Sequence, residues 1–163
     1  MKDSELFAPK ELLHGYGRAA IDIREINRRV IAQFRAGEEV EGMQRDDLLL
    51  LTTTGARSGE PRTSPMMFHR EGERLFVIGS ANGARRDPSW CHNLRARPAV
   101  TVEIGRRAYR ASAVVLEGAA RAGAWSSITA AHPFFHDHEA SAAPRVIPVV
   151  ELVPHEESHE DQR

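Results

Sequence analysis

The chain has 163 residues, 41% of them hydrophobic and 28% charged, with a formal net charge of −1. That is the composition of one globular domain large enough for a core. Near-neutrality excludes a global positive field for nucleic acid, so any basic site must be a local cluster. The single cysteine, Cys91, excludes an internal disulfide and fits a reducing cytoplasm.

Met1-Lys2-Asp3-Ser4-Glu5 is followed by no signal-peptide core, and the longest apolar run, four leucines, is far too short to span a membrane. The expected division is an N-terminal segment over residues 1–19, one domain over 20–154 and a polar tail over 155–163. Ile23, Ile26, Val30 and Phe34 recur at spacings of three and four, with Arg24, Arg28 and Arg35 on other faces. This predicts an amphipathic helix over 20–36, stopped at Gly37, whose apolar stripe covers one opening of a sheet or barrel. Its arginine face reads as solvated in preference to touching an anionic membrane surface.

Strands follow. Residues 48–54 are continuous and suit burial on both faces. Residues 61–70 and 74–80 flank a short hairpin connection, and 99–104 and 107–116 flank Gly105-Arg106. Tyr109, Ala111, Ala113 and Val115 share one face of the latter strand. Residues 146–153 form the last strand, with Pro148 marking an edge or bulge. A helix over 88–96 begins with Asp87 as N-cap and Pro88 in the first turn, and an alanine-rich helix covers 117–130. Six strands joined largely by hairpins predict an α+β chain built on a six-stranded antiparallel barrel.

Two loops carry the candidate chemistry. Gly55-Ala56-Arg57-Ser58-Gly59 with Arg62 offers a tight turn, backbone N–H groups and two guanidiniums for an anion. By itself it reads more readily as a polar hairpin whose arginines are merely solvated. Ser80-Ala81-Asn82-Gly83-Ala84-Arg85-Arg86 ends a strand and feeds a helix N-terminus, where the macrodipole favours negative charge. Trp90 and Asn93, three apart, share a face of that helix, either as a wall and hydrogen-bonding partner for a planar ring or as core and local cap.

His132, His136 and His138 with Asp137 offer metal-type ligands. Pro133 interrupts a common helix face, though, and no cysteine pair or His-Glu-x-x-His motif accompanies them. A pocket mouth with imidazoles as proton donors is the preferred reading, and no metal is expected. Cys91 and His92 are helix neighbours pointing about 100° apart, which suits a buried thiol better than a nucleophile–base pair.

The segment Thr52-Thr53-Thr54-Gly55-Ala56-Arg57-Ser58-Gly59-Glu60-Pro61-Arg62-Thr63-Ser64-Pro65 resembles a motif of the deazaflavin-dependent nitroreductase family. Ser80-Ala81-Asn82-Gly83 and Asp87-Pro88-Ser89-Trp90-Cys91-His92-Asn93-Leu94 match two further family motifs in order and spacing. The resemblance covers roughly residues 27–154. It implies a split β-barrel that binds coenzyme F420, with FMN or FAD as alternatives, and passes a hydride to a quinone, enone or nitro compound.

By the resemblance, Arg57, Ser58 and Arg62 hold the phosphate and acidic tail, and Ala56, Thr63 and Ser64 belong to the same cofactor-binding set. Pro65, Met66 and Met67 line the ring. Ile78, Gly79, Ser80 and Ala81, then Ser89, Trp90, Cys91, His92 and Asn93, and finally Phe135, complete the groove. Ala56 and Ala81 stand where the family often has basic residues. Its nitro-reducing members carry tyrosines where this chain reads His132-Pro133-Phe134-Phe135-His136-Asp137-His138. A monomer or homodimer acting on a small molecule is expected. The rival on the same fold is a barrel that binds a flavin, pigment or lipid without turnover.

Overall fold

The computed structural model describes residues 23–40 and 42–156. The expected N-terminal segment, residues 20–22 of the first helix and the tail from 157 onward lie outside them. In chain order come α1 (Ile23–Ala36), β1 (Leu48–Thr54), β2 (Pro61–Glu71), β3 (Arg74–Ile78), α2 (Ser89–Ala96), β4 (Ala99–Ile104), β5 (Arg107–Val115), α3 (Gly118–Ala131), α4 (Phe134–Ala142) and β6 (Val149–Pro154).

The strands close into a barrel in the order β1-β2-β3-β6-β5-β4, every pairing antiparallel. Closure leaves no open edge. The register of β1 against β2 runs from Leu48 opposite Met67 to Thr54 opposite Pro61, so Pro61 is tolerated as the first residue of its strand. The expected third strand stops at Ile78, two residues early, and Ala81–Gly83 then forms a short 3₁₀ turn. The last strand starts at Val149 and not at 146; Pro148 precedes it and accepts a hydrogen bond from Gly79 N–H at 2.9 Å.

The leucine run of β1 shows why that strand is apolar on both sides. Leu49 and Leu51 point into the barrel beside Met66, Leu75, Val77, Trp90, Leu94, Val100, Val102, Val150 and Leu152. Leu48 and Leu50 point out, under Ile26, Val30 and Phe34 of α1 and Val40. Alternation along a strand puts consecutive residues in two different cores. The apolar stripe of α1 therefore covers the outer face of β1, not a barrel opening as the pattern suggested. Each fully buried side chain there contributes about 1.5–3 kcal/mol, which fixes the azimuth of the helix and hence which residues face away from β1.

A third core, of Phe76, Ile78 and Val149 with Leu116, Ala124, Ile128, Phe135, Ala142 and Ile147, lies beneath α3 and α4. His155 continues the barrel side and does not fray: its N–H bonds to Arg110 O at 2.9 Å, and Nε2 lies 2.9 Å from Ser112 Oγ. Asp87 does not cap α2. Pro88 occupies that position without a side-chain cap bond, and the Asp87 carboxylate pairs with Arg95 and Arg145, both at 2.8 Å.

Candidate functional site

The β1–β2 turn is built from two glycines. Gly55 N–H bonds to Glu60 O at 2.8 Å and Gly59 N–H to Gly55 O at 2.9 Å. Gly59 has φ +72, and a Cβ on Gly55 would sit 2.4 Å from Ser58 Oγ. The left-handed backbone at Gly59 favours glycine, and a side chain at Gly55 would have to push Ser58 Oγ aside. Ser58 Oγ accepts Glu60 N–H at 3.2 Å, and the turn holds Ala56, Arg57 and Ser58 out as exposed residues.

Asn93 anchors this turn from α2. Its Oδ1 accepts Ala56 N–H at 3.0 Å, and its Nδ2 donates to Thr53 Oγ1 at 3.1 Å. Both side chains are buried, where a hydrogen bond gains strength and its loss leaves polar atoms unsatisfied. Across the strands, Thr52 and Thr63 join hydroxyls at 2.8 Å.

Between this turn and α1 lies a cleft of about 1020 Å³. Its lining includes Ala56, Arg57, Ser58, Arg62, Thr63, Ser64, Ser89, His92 and Asn93, nine of the residues that the resemblance implicates. Arg24, Asn27, Arg28 and Ile31 supply the opposite wall. Spaced i, i+3, i+4, i+7, these four make one stripe of α1. The four arginines face the cleft with no carboxylate among its lining residues. Glu25 pairs with Arg28, and Glu60 lies 3.9 Å from Arg62, both glutamates on the exposed rim. The sequence displayed the α1 stripe, but only tertiary packing turned it toward the turn.

The remaining expected residues lie outside that lining. Met66, Trp90 and Cys91 are in the barrel core, Trp90 at 7% exposure. Burial, then the charge of Asp87, pushes the Cys91 thiol well above its ordinary range, so it is no nucleophile at neutral pH. Pro65 is buried and Met67 half-buried along β2.

Ile78, Gly79, Ser80 and Ala81 belong to a loop clamped by a residue with no sequence signature, Arg145. Its guanidinium donates to Gly79 O at 3.0 Å, Ser80 O at 2.9 Å and Ala84 O at 2.9 Å, besides its pairing with Asp87. Ala81 at φ 46 and Asn82 at φ 54 hold a left-handed backbone that non-glycine residues seldom adopt. The clamp, with the α4 side chain His138 placing Nδ1 3.2 Å from Ser80 Oγ, over-determines that conformation.

The histidine segment builds an aromatic cluster. His132 ends α3 and packs edge-on to Phe135 and to His69 of β2, centroids 6.1 and 5.8 Å apart. Phe134 and Phe135 lie 4.4 Å apart and both contact His138. His136 is exposed. His69, absent from the expected set, is buried with Nε2 3.2 Å from Ser127 Oγ. Burial first, then the neighbouring His132, lowers its pKa from the ordinary 6.5, with Glu71 opposing. Among the described residues no group of three or more His, Cys, Asp or Glu side chains is placed to hold a metal. No described helix is long and apolar enough to cross a membrane.

The family model for F420H(2)-dependent quinone reductases matches residues 23–154. An F420H(2)-dependent quinone reductase of Mycobacterium tuberculosis (strain ATCC 25618 / H37Rv) is 32% identical over 106 residues, 64% of this chain and 71% of the relative. A solved F420-H2-dependent reductase is 33% identical with a TM-score of 0.59, over 65% of this chain and 93% of the other. A further solved chain, described as a domain-swapped dimer, is 27% identical with a TM-score of 0.62, over 89% of this chain and 99% of its own.

Proposed function

This chain belongs to the F420H(2)-dependent quinone reductase family, and we propose that it reduces a quinone with the cofactor's phosphate and acidic tail seated in the arginine-lined cleft. The observation that carries the reading is that cleft: four guanidiniums, no lining carboxylate, and a turn anchored by Asn93. The donor set fits the group, since planar guanidiniums suit phosphate and carboxylate bidentately. When bound, reduced F420 supplies a hydride.

The chain's own residues contribute placement and proton supply. Arg57 and Arg62 hold the anionic part, and Asn93 keeps the turn that carries Arg57 in place. The outer face of β2 continues from Thr63 in the cleft through Pro65 and Met67 to His69, because alternate residues share a face. That face leads from the anionic site to the aromatic cluster, where a flat acceptor can stack on Phe134. A quinone taking up a hydride also needs a proton at oxygen, and His132, His136 and His138 are the imidazole donors on that side. A reducing compartment, the cytoplasm, fits the single buried Cys91, and a homodimer is the assembly that the domain-swapped neighbour suggests.

The test is a titration of F420, FMN and FAD, followed by rapid mixing of the protein and reduced F420 with a benzoquinone or menaquinone analogue. Tight binding of F420 over both flavins, with quinone-dependent oxidation slowed by His132→Phe, is the expected result. Preference for FMN or FAD would overturn the placement in this cleft. A full rate in all three His→Phe variants would give the proton to solvent.

A further inference from the structure

Arg145 belongs to no motif and is not part of the cleft lining. Its guanidinium donates to three carbonyls, Gly79 O, Ser80 O and Ala84 O, and pairs with Asp87. The side chain is only 11% exposed, so little water is at hand to replace those partners. On the cleft side, Asp87 leads into α2, whose Ser89 and His92 line the cleft, and Arg95 takes its second carboxylate oxygen at 2.8 Å. On the other side, Ser80 Oγ meets His138 Nδ1 at 3.2 Å, and His138 packs on Phe134 with centroids 5.4 Å apart. The 3₁₀ turn at Ala81–Gly83 sits directly on α4: a Cβ on Gly83 would lie 2.9 Å from Ser141 Cβ and 3.2 Å from His138 Cα. Arg145 N–H bonds to Ala142 O at 3.0 Å, which ties the clamp to the end of α4. One side chain therefore joins the α2 wall of the anionic cleft to the helix that carries the aromatic cluster. A planar fork of five N–H donors holds several acceptors in one fixed geometry, which an ammonium cannot do.

We propose that Arg145 is a positioning residue for hydride transfer, holding the aromatic cluster in register with the anionic cleft so that a quinone stacked on Phe134 meets the cofactor's ring at reacting distance. This rests on the reading that the cleft seats the anionic end of F420 and the cluster seats the quinone. The step served moves one hydride from reduced F420 to the quinone, with one proton lost from the reduced ring and one taken up at the quinone oxygen, giving oxidised F420 and the hydroquinone. The two halves of the site grip different ends of the reacting pair, so binding at either end leaves alignment across them open. Alignment is set by whatever fixes the spacing of the halves, and a misplacement of about 1 Å can cost about 10²-fold in rate. Arg57, Arg62 and Asn93, which hold the anionic end, share no hydrogen bond with the clamp. Rate therefore responds to the clamp where affinity does not.

Rapid mixing of each protein–reduced F420 complex with saturating p-benzoquinone tests it, alongside F420 titrations, thermal melts and a repeat with F420 reduced by deuteride. Wild type is compared with Arg145→Lys, Arg145→Gln, Asp87→Asn and Val102→Ala, the last a barrel-core truncation away from the clamp that lowers stability by leaving a cavity. Arg145→Lys and Arg145→Gln should oxidise the cofactor about a hundredfold more slowly, with a larger deuterium isotope effect and F420 affinity as in wild type. Asp87→Asn keeps the carbonyl bonds and should lie between. Val102→Ala should melt lower yet react at the wild-type rate, because partial unfolding reduces the amplitude of the transient and not its rate constant. If Arg145→Gln does not fold, the lysine and Asp87 variants decide. A wild-type rate and isotope effect in the clamp variants would make Arg145 a support of the fold, and a loss of affinity matching the loss of rate would make it part of cofactor binding; either overturns this inference alone. Wild type that oxidises the cofactor no faster than the protein-free mixture would overturn the proposed function as well.

Discussion

The cleft under the β1–β2 turn and a second one at the far end of α1, about 1020 and 670 Å³, are each lined by four arginines. In the second, Asp46 and Glu103 join the lining. Arg35 is locked to Glu103 by two bonds of 3.0 and 2.9 Å. Arg45 donates to Phe34 O at 2.8 Å and Glu38 O at 3.2 Å, closing the C-terminal end of α1. Arg107 lies over Tyr109, 5.6 Å from the ring centroid. These guanidiniums complete the fold. In the first cleft no lining carboxylate competes with a ligand. Arginine number is therefore a poor guide to an anion site; what separates the two is whether carboxylates sit in the lining, as Asp46 and Glu103 do in the second cleft, or beside it, as Glu25 and Glu60 do in the first.

The largest expected effect breaks the comparison outright. Arg57→Ala/Arg62→Ala should weaken F420 binding by about 3–6 kcal/mol, at 1.5–3 kcal/mol for each charged hydrogen bond, with the melting temperature nearly unchanged. Arg106→Ala/Arg107→Ala in the other cleft should leave binding as it was. Isothermal titration of both variants checks this, and equal losses would remove the distinction.

Next in size, Asn93→Ala should cost about 1–3 kcal/mol of stability, because Ala56 N–H and Thr53 Oγ1 lose a buried partner. It should also lower cofactor affinity while the second cleft is untouched. Chemical denaturation with parallel F420 titration separates the two consequences. The sequence placed Asn93 on the correct helix beside Trp90 but could not say what it bonds. Its partners are 37 and 40 residues away, a pairing set by barrel closure.

Smaller still, Glu103→Gln should cost about 0.2–1 kcal/mol, the range for partly exposed ion pairs, and should not alter F420 affinity. A denaturant midpoint shift without a change in affinity would place that pair wholly on the side of the fold.

The last effect shows only in slope and lies away from both clefts. The folded His69 takes up a proton at lower pH than it would unfolded, so between its lowered pKa and about 6.5 the unfolded chain binds more protons. Stability should fall as pH drops through that window. His69→Gln should flatten this part of the profile in melts from pH 7 to pH 5 while sparing both clefts. An identical acid slope in the variant would show that His69 is not the responsible group.

The sequence by itself determined the elements and much of the turn. Apolar alternation, hairpin glycines and proline positions place all six strands to within a few residues, because these are local constraints on backbone and burial. Gly55, Arg57, Ser58, Gly59 and Arg62 are likewise close in sequence, and their turn chemistry is readable where it stands. Only the tertiary structure decided which side chains face one another. Trp90 and Asn93 share a helix, yet one fills the barrel core and the other braces a turn. His69 meets His132, 63 positions further along the chain, and Arg145 gathers a loop some 60 residues earlier. The arginines of α1 became a cleft wall only because Ile26, Val30 and Phe34 dock on the outer leucines of β1. Burying that apolar stripe sets the helix rotation, and rotation, which no local pattern encodes, aims the charge.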